Sequence, residues 1–270
     1  MAVGLTACTA GFFYNRLDWL AVWYVNGLVT LDDDQERQLR ELVDRNLAWH
    51  RRTQLPRYLL LLERLDREVD APAAPEVFER DFQEVVHLWD EFLEHILGDG
   101  ARFLSGLSPT QVTELMKGLE EGNEDLRDEY AGASPEVRKS RNARNAIRAI
   151  QRFTGRLTPD QRKLVELRLA AIHDVSDEWL ERRQHWQQKF RLLLEARPAA
   201  EQFEAEMKVL ILNPESFDSG EYRARVQENR AVILSMLAEL KNALTGEQRA
   251  RVKRKLQEYA EALRKIAANE

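Results

Sequence analysis

The chain has 270 residues, 32% charged and 44% hydrophobic, with 12 Gly, 8 Pro and a formal net charge of −6. That composition suits long amphipathic helices rather than sheets or disorder, and the length allows one or two domains with a sizeable core. The negative charge argues against a general nucleic-acid binder, and no run approaches the ~20 apolar residues of a membrane-spanning helix.

In chain order, the single cysteine, Cys8, comes first, and alone it cannot close an intramolecular disulfide. Residues 10–29 carry Phe12, Phe13, Tyr14, Trp19, Trp23 and Tyr24. From about Asn15 to Val29 the segment is apolar nearly all round, which predicts a helix filling the centre of a bundle. The alternative, an aromatic anchor at a membrane surface, lacks the Lys/Arg-rich face usual for interfacial helices.

Residues 32–69 follow as a helix that Pro56 should kink or break, and Ala71-Pro72-Ala73-Ala74-Pro75 ends it. A helix over 76–97 should stop at Gly98-Asp99-Gly100. The next runs to about Glu129, and Gly132-Ala133-Ser134-Pro135 opens another. After Pro159, residues 160–196 hold no Gly or Pro, and Val165, Leu169, Ile172, Val175, Trp179, Trp186, Phe190 and Leu193 trace one stripe. A single helix there would be about 55 Å long, so the spacing predicts an elongated or curved all-α molecule. A shorter helix lies between Pro198 and Asn213-Pro214, and 221–243 with 247–268 read as a final antiparallel pair around Gly246.

One short pattern recurs four times: Leu31-Asp32-Asp33-Asp34-Gln35, Leu107-Ser108-Pro109-Thr110-Gln111, Leu157-Thr158-Pro159-Asp160-Gln161 and Leu244-Thr245-Gly246-Glu247-Gln248. Its chemistry is that of a helix start. The small polar residue caps an orphan backbone N–H, and the Gln three residues later bonds back to the cap's own N–H. Pro109 and Pro159 fall at the first helical position, where a missing N–H costs nothing. Only Val112 offers the inner half of a hydrophobic staple, so Leu31, Leu157 and Leu244 must pack elsewhere. Four good caps need no function, but four sharing Leu and Gln exceed chance. Two two-motif units are conceivable, although the unequal spacing of the copies argues against an exact duplication.

The pattern resembles the LTXXQ motif of the Spy/CpxP family of bacterial periplasmic proteins. That resemblance implies a bent helical cradle and ATP-independent chaperone or envelope-stress activity. Leu157-Thr158 and Leu244-Thr245 keep the Leu-Thr pair, and the other two copies depart from it. Leu5-Thr6-Ala7-Cys8 has the form of a lipobox. With Tyr14-Asn15-Arg16-Leu17-Asp18-Trp19 and Trp23-Tyr24-Val25, it resembles an uncharacterised family of proteobacterial lipoproteins with a helical body of similar length. This resemblance implies lipidation of Cys8. Residues 1–7 lack the basic and apolar regions of a signal peptide, so the same reading places the true start upstream of Met1. Thr9 after the cysteine, rather than Asp, points to the outer membrane.

Residues able to carry chemistry are few. Glu84-x-x-His87 is half of a di-iron pattern, and Glu91 and His95 lie near the same face, but further ligands would have to come from elsewhere. No phosphate loop, nucleophile elbow or cysteine nucleophile is present, and the chain reads as a non-enzyme without cofactor or metal. Between Val137 and Gly155 no acid occurs, and Arg141, Arg144, Arg148 and Arg152 share one helical face. Such a stripe could pair with the acidic run Glu120, Glu121, Glu124, Asp125, Asp128 and Glu129, or receive acidic clients, partners or headgroups.

The expectation is therefore an all-α, elongated or curved bundle. Residues 1–9 form a tether remnant, and 10–270 form one helical domain that could divide at about 133/134. It would sit on the periplasmic face of the outer membrane, lipid-anchored through Cys8, and bind polypeptide clients in a chaperone-like or envelope-stress role. The alternatives are an adaptor for one fixed envelope partner and, with less support, a metal or small-ligand carrier.

Overall fold

The computed structural model describes residue 14 and residues 16–131 and 133–268, apart from the side chains of 129–131. Cys8 and the Leu5-Thr6-Ala7 segment before it lie outside the described residues. Eleven α-helices account for the fold, with one 3-10 turn and no strand among the described residues. They are α1 (Leu17–Asn26), α2 (Asp33–Thr53), α3 (Leu55–Glu68), α4 (Pro75–Ser105), α5 (Pro109–Ala131), α6 (Pro135–Thr154), α7 (Pro159–Ala170), α8 (Ser176–Ala196), α9 (Ala200–Leu212), α10 (Gly220–Asn242) and α11 (Gly246–Ala268); the 3-10 turn is Pro214–Phe217. The bundle is elongated and all-α, as expected.

Two apolar cores hold it together. The first joins Val22 of α1, Leu39 of α2, Ala101 of α4, Val112, Leu115 and Met116 of α5, Phe190, Leu193 and Leu194 of α8, and Phe203, Met207 and Leu210 of α9. The second is smaller: Ile147 of α6, Leu157, Val165 of α7, and Met236 and Leu240 of α10. The cores interleave along the chain, because α8 and α9 return past residue 134 to pack with the first helices. α4, about 46 Å long at 1.5 Å per residue, spans both. It packs on α9 and α2 and also on α10, while α11 lies against α3 and α6.

Helix boundaries follow the breakers where the signal is local. α2 ends at Thr53 and α3 begins with Pro56 in its first turn; Pro75, Pro109, Pro135 and Pro159 each open a helix. Four expectations need correction. First, α4 does not stop at Gly98-Asp99-Gly100 but continues to Ser105. Each mid-helix glycine costs about 1 kcal/mol. Leu97 and Ala101 are buried there, and Asp99 is held by Arg45 at 2.7 Å and by Arg102 at 3.2 Å. Second, 159–196 is not one helix. Residues 171–175 form a link, in which His173 N–H donates to Asn229 Oδ1 at 2.7 Å and Ser176 N–H to Asp174 Oδ1 at 3.2 Å. The predicted stripe is thereby split, with Val165 and Leu169 in the second core and Trp186, Phe190 and Leu193 in the first.

Third, α1 does not fill the bundle centre. Only Val22 is buried, while Trp19, Trp23 and Tyr24 are 50%, 64% and 65% exposed. Its one extensive neighbour is α2, so a helix apolar all round keeps a wet aromatic side. Fourth, α10 and α11 do not pair along their length: α10 packs on α4 and α7, α11 on α3 and α6.

Candidate functional site

The four recurring starts all form complete capping boxes, and they meet in pairs. In each, the cap oxygen accepts from the Gln N–H and the Gln Oε1 accepts from the cap N–H, at 2.8–3.2 Å. Gln35 and Gln111 exchange amide hydrogen bonds at 3.1 and 2.5 Å, and Gln161 and Gln248 do so at 2.7 and 2.8 Å. The second amide hydrogen also has a partner at three of the four glutamines. Gln111 donates to Thr30 O, Gln161 to Ala243 O and Gln248 to Arg156 O, at 2.8–3.0 Å. Each acceptor is the carbonyl just before the facing motif's Leu, so each pair is nearly two-fold symmetric.

This arrangement explains why Gln, and not Glu, recurs at the third helical position. A carboxylate could accept from the cap N–H but could not donate to the facing loop. The leading leucines find their place as well: Leu31 and Leu107 enter the first core, Leu157 enters the second, and Leu244 lines a cavity beside it. The motifs are therefore structural clasps, one pair per core.

The arginine face lies on α6. Arg138, not part of the predicted face, is buried, and its guanidinium bonds Asp174 at 2.6 Å and Asp177 at 3.3 Å. Arg141 is half-buried and engaged. Arg144, Arg148 and Arg152 are exposed, and among the described residues none of them pairs with a carboxylate of α5. Arg144 donates to Ser140 Oγ at 2.6 Å, and Arg148 donates to Asn145 Oδ1. The match with the acidic run Glu120 to Asp128 is not made by these three, because α5 packs on α8 and α6 on α7 and α11. Val137 is exposed on the same side of α6, whereas Phe153 turns toward the other side, with its ring 5.9 Å from that of Tyr259.

A cavity of about 400 Å³ opens next to this face. Its wall is almost wholly apolar and comes from α3, α4, α6, α10 and α11, including Leu65, Phe78, Ile150, Phe153, Leu237 and Leu256. The charged groups in the wall are Glu68, Asp81 and Lys241. Burial pushes the Lys241 ammonium below its ordinary range. Nothing in the sequence singled out this space, because its walls come from five separate helices.

The candidate ligands on α4 do not converge. Glu84 accepts from Arg64, and Glu91 accepts from Arg57, which holds its carboxyl below the usual range. His87 contacts Glu91 at 3.0 Å, whereas His95 stacks on Trp49 with centroids 3.8 Å apart. Among the described residues, no group of three or more His, Cys, Asp or Glu side chains could hold a metal ion. Sequence reasoning also missed a buried polar cluster, in which Arg183 Nε donates to Asn123 Oδ1 at 2.8 Å and Asn123 donates to Gln187 at 2.5 Å.

The described residues thus form an all-helical bundle with two clasped cores, an exposed cationic face on α6 and an apolar cavity beside the second core. A family model described as a family of unknown function (DUF6279) matches residues 27–223, and the chain belongs to that family. The match takes in the whole first clasp and one half of the second. No curated protein and no solved structure matches the chain.

Proposed function

We propose that the protein is a non-catalytic periplasmic lipoprotein, tethered to the outer membrane through Cys8, that binds polypeptides in a chaperone-like or envelope-stress role. The observation that carries this reading is the α6 face. Arg144, Arg148 and Arg152 are exposed and without carboxylate partners among the described residues, with exposed Val137 on the same side and the Phe153–Tyr259 aromatic pair farther round α6. Cations beside apolar and aromatic patches attract acidic, partly unfolded segments: charge steers the encounter, and apolar contact retains it. The LTXXQ-like clasps agree with a Spy-like cradle. The wet aromatic side of α1 follows Cys8 closely in sequence and suits a membrane interface, where Trp and Tyr are favoured.

The test uses soluble Cys8→Ser protein with several unrelated unfolding clients and no ATP. Aggregation should be suppressed at near-stoichiometric protein. The Arg144→Ala/Arg148→Ala/Arg152→Ala variant should be weaker while keeping its helical circular dichroism. Absence of suppression with every client would reject the chaperone role.

A second reading is a dedicated adaptor for one envelope partner, favoured by the exposed Trp19, Trp23 and Tyr24. Crosslinking in envelope extracts would then yield a single saturable partner rather than many.

A further inference from the structure

We propose that the cavity between α3, α4, α6, α10 and α11 is a binding site for a long-chain fatty carboxylate, with the acyl chain in the apolar space and the carboxylate at Lys241. The inference does not rest on the polypeptide-binding reading, although the site borders that face at Arg148, Arg152 and Phe153.

Three observations point to this ligand. The cavity holds about 400 Å³, within the range of small-molecule sites, and its wall is hydrocarbon and aromatic with almost no polar surface. An unbranched acyl chain needs no hydrogen-bond partner there, whereas a peptide would bury its backbone amides unpaired.

The cations at one end make no direct ion pair within 4.0 Å among the described residues. Lys241 makes no side-chain ion pair within 4.0 Å among the described residues, and its half-buried ammonium is depressed by burial. Arg249 lies beside it. That guanidinium is spent on backbone carbonyls: Val69 O at 3.0 Å, Leu244 O at 3.2 Å, and Lys241 O and Asn242 O at 3.3 Å. Arg249 therefore fixes the wall and makes no ion pair within 4.0 Å among the described residues, although its charge is felt by the nearby Asp70 carboxylate, which is itself paired with Lys253. The wall's two acids are committed elsewhere. Glu68 is bonded to Arg80 at 2.8 Å, and Asp81 to Arg80 at 2.7 Å and Arg64 at 3.1 Å. An anion at Lys241 thus meets the charges of Lys241 and Arg249, while the two acids within electrostatic reach of Lys241, Glu68 and Asp81, are each already paired with Arg80.

The third observation is the approach. Ala149 and Phe153 of α6 belong to the wall, and exposed Arg148 and Arg152 each precede them by one residue. These two cations, on the helix that supplies part of the wall, favour the approach of an anionic amphiphile over a cationic one through long-range attraction.

The experiment is isothermal titration calorimetry on the full chain, with laurate and dodecyltrimethylammonium, both kept monomeric. The two share a chain length and differ in head charge. Laurate should bind saturably, one per chain, and about tenfold or more tighter than the cation. Lys241→Met should weaken laurate by about tenfold while keeping the apolar wall. Ala149→Trp starts from an exposed position, so folding should survive; the indole should fill the opening and abolish binding. No saturable binding, equal binding of the two amphiphiles, or laurate binding untouched in a folded Ala149→Trp variant would each overturn the assignment.

Discussion

Replacing Gln161 by Ala should cost about 3–4 kcal/mol of folding stability, several times what one surface residue contributes. The side chain makes four hydrogen bonds: from Thr158 N–H at 3.0 Å, to Ala243 O at 2.8 Å, and the two exchanged with Gln248 at 2.7 and 2.8 Å. A net contribution of about 1 kcal/mol per bond gives the estimate. Gln161 is only 3% exposed, so water cannot readily replace the lost partners. Gln248 keeps its bonds to Thr245 N–H and Arg156 O, which prevents a larger loss. Gln111→Ala is the internal control: it removes a similar set of bonds from a half-buried site and should cost about 1–2 kcal/mol. Because Gln161 and Gln248 share two bonds, Gln161→Ala/Gln248→Ala should be less damaging than the sum of the singles by about 1–2 kcal/mol. Urea unfolding followed by circular dichroism measures all four variants. Equal losses for Gln161→Ala and Gln111→Ala, or strict additivity in the double variant, would refute the clasp.

Three further outcomes follow from particular residues. Gly155 sits at φ 76° and ψ −155°, a region reserved for glycine, just before the third clasp, so Gly155→Ala should destabilise by about 1–3 kcal/mol in the same assay. Arg138→Ala should cost about 3 kcal/mol, because it strands the nearly buried Asp174, whereas Asp177→Ala, at a carboxylate 71% exposed, should cost under about 1 kcal/mol. Burial lowers the pKa of His50, so the unfolded chain binds its proton more readily. The stability from the neutral ring is present above about pH 6.5 and is lost progressively as the pH falls below that value. Urea midpoints across that range should drop with acid, and less steeply in His50→Gln.

Much of the fold was legible because its signals are local. Proline at the first helical turn, four capping boxes and the Ala-Pro segment before Pro75 mark starts and stops without any tertiary partner. The failures lie where a distant contact decides. The break at 171–175 depends on Asn229, 56 residues away, and on Arg138, so a gap-free stripe misled. The continuation of α4 through two glycines depends on the burial of Leu97 and on the first core closing over Ala101. The exposed aromatics of α1 defeat the rule that an all-round apolar helix is buried, because only α2 covers it extensively. Among candidate site residues, the arginine periodicity was readable, but that α5 would carry its acids onto α8, away from the stripe, was not. The clasps were recognised as caps, yet their pairing across 76 and 87 residues has no one-dimensional signature.

The most direct measurement of polypeptide binding at the α6 face is site-specific photocrosslinking. A photoreactive residue replaces Arg148 on that face, or Lys117 on α5 as control, in soluble Cys8→Ser protein mixed with an unfolding client. Crosslinks to client from position 148 and few from position 117 are the expected result. Equal labelling from both positions, or none from 148, would contradict binding at this surface.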